Sequence, residues 1–151
     1  MKGVRKFGLF LFLILLVIQF IQPMPNISTG QEQDDISRAY ALPDGIHRTL
    51  TEKCYDCHSN HTRYAWYFRI QPFGWWLAAH IYEGKSQLNF SEFKAYGGDE
   101  ARDKLSKIES IMNSGSTHLK RYSLFKPASE LTVEDEQAIQ SWVKTLVAED
   151  R

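Results

Sequence analysis

The chain holds only two cysteines among its 151 residues, Cys54 and Cys57. So small a number excludes a disulfide framework. It also lacks an excess of charge, with 18 Lys+Arg against 18 Asp+Glu. Lys2, Arg5 and Lys6 supply three of the basic groups, so the rest of the chain carries 15 basic against 18 acidic. A mildly acidic body without a dense Lys/Arg stripe argues against nucleic acid as a partner. There is no internal repeat, and no stretch alternates as a sustained strand would. Global disorder is excluded too, because hydrophobic residues make up 43% and can build a core.

What is present begins with an apolar run. FGLFLFLILLVIQFI, from Phe7 to Ile21, follows the three basic residues and contains one polar residue, Gln19. Fifteen helical residues rise roughly 22 Å, against a hydrocarbon core of roughly 30 Å. Extension through Met24 and snorkelling of the basic flank bring spanning within reach. A cleaved signal peptide would need a small-x-small site, and QPMPNISTG offers none. The run therefore predicts a membrane anchor over residues 1–24. The positive-inside rule then sets a single pass through a bacterial inner membrane, with the body facing the periplasm.

Residues 25–43 read as a linker, punctuated by Pro25, Asn26, Ser28, Gly30 and Pro43. Beyond it only helices are legible, over a domain of residues 44–149. Asp44 can cap a helix running into Cys54. Pro72 can open a second, which Gly84 ends. Asp99 can cap a third, with Ala101, Leu105, Ile108 and Met112 on one face and Gly115 at its end. Thr132 and Asp135 have capping-box spacing, and Ile139, Trp142, Val143 and Leu146 follow at i, i+3, i+4, i+7. The expected class is all-α: a small cytochrome c-like helical domain behind an N-terminal transmembrane helix.

One motif carries specific chemistry: Cys54-Tyr55-Asp56-Cys57-His58. Cys-x-x-Cys-His is the attachment signature of c-type haem. On a helical turn the thiols lie at i and i+3 and can each bond a haem vinyl group. His58, at i+4 from Cys54, rises on the same side as proximal iron ligand. The expected cofactor is one haem c, covalent through Cys54 and Cys57. Three rival readings are weaker. A thioredoxin-like dithiol needs a strand–helix context. A disulfide between the two would close a tiny strained loop. Zinc on Cys54, Cys57, His58 and His61 would crowd four ligands into eight residues. Eight aromatic residues fall between Tyr55 and Trp76, more than a small core requires. Trp66, Trp75 and Trp76 are candidates for the walls of a haem crevice.

The stretch CYDCHSNHTRYAWYFRIQPFGWWLAAHIYEGKSQLNFSEF, followed by LKRYSLFKPASELT, resembles the haem-binding domain of membrane-anchored bacterial cytochrome-like proteins. CYDCHSN, the tryptophan pair before His80, and LNFSEF carry the resemblance over about residues 45–147. It implies a cytochrome c-like helical fold with one covalent haem and no catalytic reaction. Tyr122 matches a family tyrosine and joins the candidate crevice residues. The chain departs from the family pattern Gly-x-Met-Pro-Leu, reading Gly115-Ser116-Thr117-His118-Leu119, and Lys126 replaces a histidine before Pro127. Thr is a poor iron ligand, so His80 and His118 become the candidate sixth ligands, with an open position as the third option.

Three functions follow. The first is a membrane-anchored c-type cytochrome passing single electrons to a redox partner protein. The second is a haem-based sensor or ligand-binding module with a displaceable sixth position. The third, an enzyme of the peroxidase kind, is the weakest, because diheme peroxidases need a second haem motif.

Overall fold

A computed structural model describes residues 2–30, 32–115 and 122–149. The α-helices that build the fold follow in chain order: α1 Lys2–Ile18, α2 Ile36–Ala39, α3 Asp44–Lys53, α4 Tyr55–His58, α5 Phe73–Gln87, α6 Gly98–Asn113 and α7 Val133–Glu149. Short 3-10 turns cover Trp66–Arg69, Phe90–Ala95 and Pro127–Ser129. Among the described residues there is no strand, only an isolated bridge between Ile27 and His61. The fold is all-α.

Two hydrophobic cores organise it. In the first, the Ala101–Leu105–Ile108 face of α6 meets the Ile139–Trp142–Val143–Leu146 stripe of α7, with Leu50 of α3 and Ile36 of α2 packed in. Leu105 and Val143 are wholly buried, and each such side chain contributes about 1.5–3 kcal/mol. The second core gathers Phe68, Leu77, Ile81 and Tyr122.

Local signals explain the helix ends. Before α7, Asp135 N donates to Thr132 Oγ1 at 3.1 Å and Thr132 N donates to Asp135 Oδ2 at 3.0 Å, a reciprocal cap. Past α6, Gly115 takes a φ of +74°, the left-handed region that glycine enters without a Cβ penalty. Gly84 does not end α5, which runs on to Gln87. Its role is close approach, because a Cβ there would lie 2.7 Å from the Cys57 carbonyl oxygen.

The membrane anchor expected over residues 1–24 is overturned. No helix among the described residues is long and apolar enough to cross a membrane. α1 has 17 residues, a rise of about 26 Å against roughly 30 Å of hydrocarbon. The expected extension through Met24 fails because the chain leaves the helix and ties itself to the body. Gln19 Nε2 donates to the Gln71 carbonyl at 3.1 Å, and Gln71 N donates back to Gln19 Oε1 at 2.9 Å. Gln71 Nε2 donates to Gln22 Oε1, Gln22 Nε2 to the Arg69 carbonyl, and Trp75 Nε1 to the Ile21 carbonyl. The transmembrane helix therefore falls out of the fold description. The single-pass inner-membrane placement, the periplasmic orientation and the membrane as a partner, all derived from that helix, fall with it.

Candidate functional site

The Cys54–His58 turn is formed by a break between two helices. Cys54 closes α3, its N–H donating to the Leu50 carbonyl at 2.9 Å, and its φ of −114° interrupts the helix before α4 restarts. The Cys54 carbonyl then accepts from Cys57 N at 3.2 Å and His58 N at 3.0 Å. Both thiols are free and half-buried. Cys54 packs against the first core and Cys57 against the second. Burial, then the neighbouring Cys57, pushes the Cys54 thiol up to about 12. Burial, then the Asp56 charge, pushes Cys57 up to about 11. Protonated thiols of this kind are the opposite of a redox dithiol, whose attacking sulfur needs a lowered pKa.

His58 is held by its inner ring nitrogen, Nδ1. Nδ1 lies 3.0 Å from the Leu88 carbonyl oxygen. A carbonyl only accepts, so Nδ1 carries a proton towards it, and in the neutral form of the ring the lone pair would then be on Nε2. This is how a metal-binding histidine is oriented by a group behind it. Phe90 stands edge-on to the imidazole at 6.2 Å.

The two residues between the cysteines brace the turn from both sides. Tyr55 stacks on Phe90 at 5.3 Å, and its hydroxyl donates to Asp35 Oδ2 at 2.9 Å. Burial and the Asp35 charge push its phenol up. Asp56 is 2% exposed and accepts from Arg63 Nε at 3.0 Å and from Lys126 Nζ. Arg63 Nη2 also donates to the Thr51 and Glu52 carbonyls, so one guanidinium joins the end of α3 to α4. Tyr122 is buried, with its hydroxyl 3.5 Å from Asp56 Oδ2. Burial, then Asp56, pushes that phenol up. After the turn, Asn60 N donates to Ser91 Oγ at 3.0 Å and Asn89 Nδ2 donates to Asn60 Oδ1 at 2.9 Å. The CYDCHSN and LNFSEF stretches are thus partners in one network.

The remaining sequence candidates scatter. Trp75 spends its indole N–H on the Ile21 carbonyl. Trp66 is 76% exposed. The Trp76 ring lies tilted against His80 at 4.2 Å and packs among Phe73 and Phe125. His80 is exposed, and its Nδ1 lies 2.9 Å from the Trp76 carbonyl, with no hydrogen-bond partner on Nε2 among the described residues. His118 lies outside the described residues. Among those described, no three His, Cys, Asp or Glu side chains converge on a point that would hold a bare metal ion, which leaves the zinc reading without its ligand set. Cys54, Cys57 and His58 are thus brought together on one turn, with His58 Nδ1 turned towards the Leu88 carbonyl.

The model of the haem-binding domain family matches residues 13–145. The chain belongs to the haem-binding domain family. No curated protein and no solved structure matches it. In this haem-binding domain the matched region begins inside α1 and ends inside α7, taking in the second core, the buried residues of the first up to Val143, and the whole braced turn. Haem is therefore its ligand. Sequence reasoning missed the Leu88 carbonyl, the Asp56–Arg63–Lys126 cluster and the Asn60–Asn89–Ser91 network. Only the last left a signal, the short polar Asn-x-Ser that lets Asn89 cap Ser91 N.

Proposed function

We propose that this haem-binding domain holds one haem c covalently through Cys54 and Cys57, with His58 as proximal iron ligand, and works as a one-electron carrier. The observation that carries the proposal is the His58 Nδ1 hydrogen bond to Leu88, which presents Nε2 from the same turn as the two thiols. When bound, the haem supplies a one-electron ferric–ferrous couple. The chain's part is to hold and orient. Tyr55 and Asp56 fix the turn, the thiols would anchor the group as thioethers, and the Leu88 carbonyl sets the direction and basicity of His58. A turn braced on both sides suits electron carriage, where little should move between oxidation states. His80, with its Nδ1 engaged and its Nε2 free, is the candidate sixth ligand on the described part of the chain.

The test is haem staining after denaturing electrophoresis, in a strain with c-type maturation. Wild type should stain, and Cys54→Ala/Cys57→Ala should lose the covalent band. A wild-type band without covalent haem would refute the attachment. Optical spectra with CO then separate carrier from sensor, since rapid CO binding to the wild-type protein would replace the carrier reading with the ligand-binding one.

A further inference from the structure

The Leu88–Asn89 peptide carries a hydrogen bond at each end of one plane. Its carbonyl accepts from His58 Nδ1 at 3.0 Å, and its N–H donates to the Tyr96 hydroxyl at 2.9 Å. The two groups belong to one conjugated amide. Drawing the N–H toward an acceptor raises electron density on the carbonyl oxygen. Bonds in such a chain strengthen one another by on the order of 10–30% each. The arrangement is held firmly. Leu88 N donates to the Gly84 carbonyl at 2.9 Å, and Tyr96 N donates to the Phe93 carbonyl at 3.2 Å. The Tyr96 ring stands edge-on to Phe93 at 5.4 Å, with Lys104 Nζ over its face at 5.3 Å.

We propose that Tyr96 is a positioning residue for His58, acting through the Asn89 N–H and the Leu88 carbonyl to strengthen the Nδ1 hydrogen bond. This rests on the reading of His58 as the proximal ligand. A stronger Nδ1 bond makes the imidazole a better electron donor, which favours ferric iron and lowers the reduction potential.

The test is Tyr96→Phe, which removes the hydroxyl and keeps the ring against Phe93. In the haem-loaded full chain the ferric preference should fall about threefold. At about 59 mV per tenfold for one electron, the midpoint potential should rise by about 30 mV. Ile139→Val is the comparator: it trims a buried side chain between α6 and α7 and lowers stability, but leaves the relay intact and should leave the potential in place. A fall in potential in Tyr96→Phe, or an equal rise in Ile139→Val, would overturn the proposal. In the haem-free full chain the His58 Nδ1 proton resonance should move upfield in Tyr96→Phe, and an unmoved resonance overturns the proposal there too. This arm needs no iron, so a relay present here but silent in the potential would point to a failure of the proximal-ligand reading instead. If Tyr96→Phe does not fold, 3-fluorotyrosine at position 96 weakens the acceptor with little change of shape and should shift the same resonance in the same direction.

Discussion

Asp135 shows how a single carboxylate supports the Cys54–His58 turn from a distance. Its Oδ2 accepts from Lys53 Nζ at 2.8 Å, and the same ammonium donates to the Glu130 carbonyl. Lys53 is the residue before Cys54, so this bond fixes the end of α3 where the turn begins. Burial raises the Asp135 pKa, but the hydrogen bonds from Lys53 and Thr132 outweigh it and bring the carboxyl down to about 2. An aspartate in the unfolded chain titrates near 3.9. The folded value is the lower one, so the stabilisation is complete above about pH 4 and lost as pH falls toward 2. Screened by solvent at this partly exposed site, it amounts to about 1 kcal/mol. Thermal melts across pH 2–5 should show a loss of stability in wild type that Asp135→Asn lacks, and parallel curves would refute the assignment. The Thr132–Asp135 cap was legible because its partners lie three residues apart. The Lys53 bond was not, because it joins residues 82 apart and nothing local marks the pair.

At the scale of elements, the contact between α4 and α5 depends on one missing methyl group. A Cβ on Gly84 would meet the Cys57 carbonyl oxygen at 2.7 Å and Cys57 Cβ at 3.4 Å. The obstacle is backbone, so it cannot swing aside. Alanine should gain up to about 1 kcal/mol of helix propensity and lose more to overpacking, which costs typically 1–3 kcal/mol. Gly84→Ala should therefore lower the melting temperature and the yield of stained haem protein, while Gly97→Ala, with open space around it, should do neither. The helices of the body were legible from apolar period, and the faces of α6 and α7 are buried where the period put them; of the expected caps Thr132 holds, whereas Pro43 and Gly97, not Asp44 and Asp99, stand before α3 and α6. Gly84 misled as a stop signal, because composition does not distinguish a glycine needed for a turn from one needed for close packing. The end of α1 misled likewise. Gln19 reads as one polar residue in an apolar run, and its partner Gln71 is 52 residues away. In the site, the Cys54–Cys57–His58 spacing was legible because side chains define it. The Leu88 carbonyl was not, since every residue type supplies one.

Taken as a whole, the molecule divides into α1, which contributes no buried residue, and a body whose ties begin at Gln19. Deleting residues 2–18 should leave the urea unfolding free energy of the body within about 0.5 kcal/mol, the range expected of surface changes. A larger loss would mean that α1 packs on the body. The body has two cores, with the Cys54–His58 turn between them, one thiol in each. This position bears on how long the turn stays closed to solvent. An excursion that loosens either half frees one end of α4, so the exchange protection of its amides follows the weaker core rather than the sum of the two. A thioether at each cysteine would join the halves through a rigid ring, and an opening that began in one would then have to open the other as well.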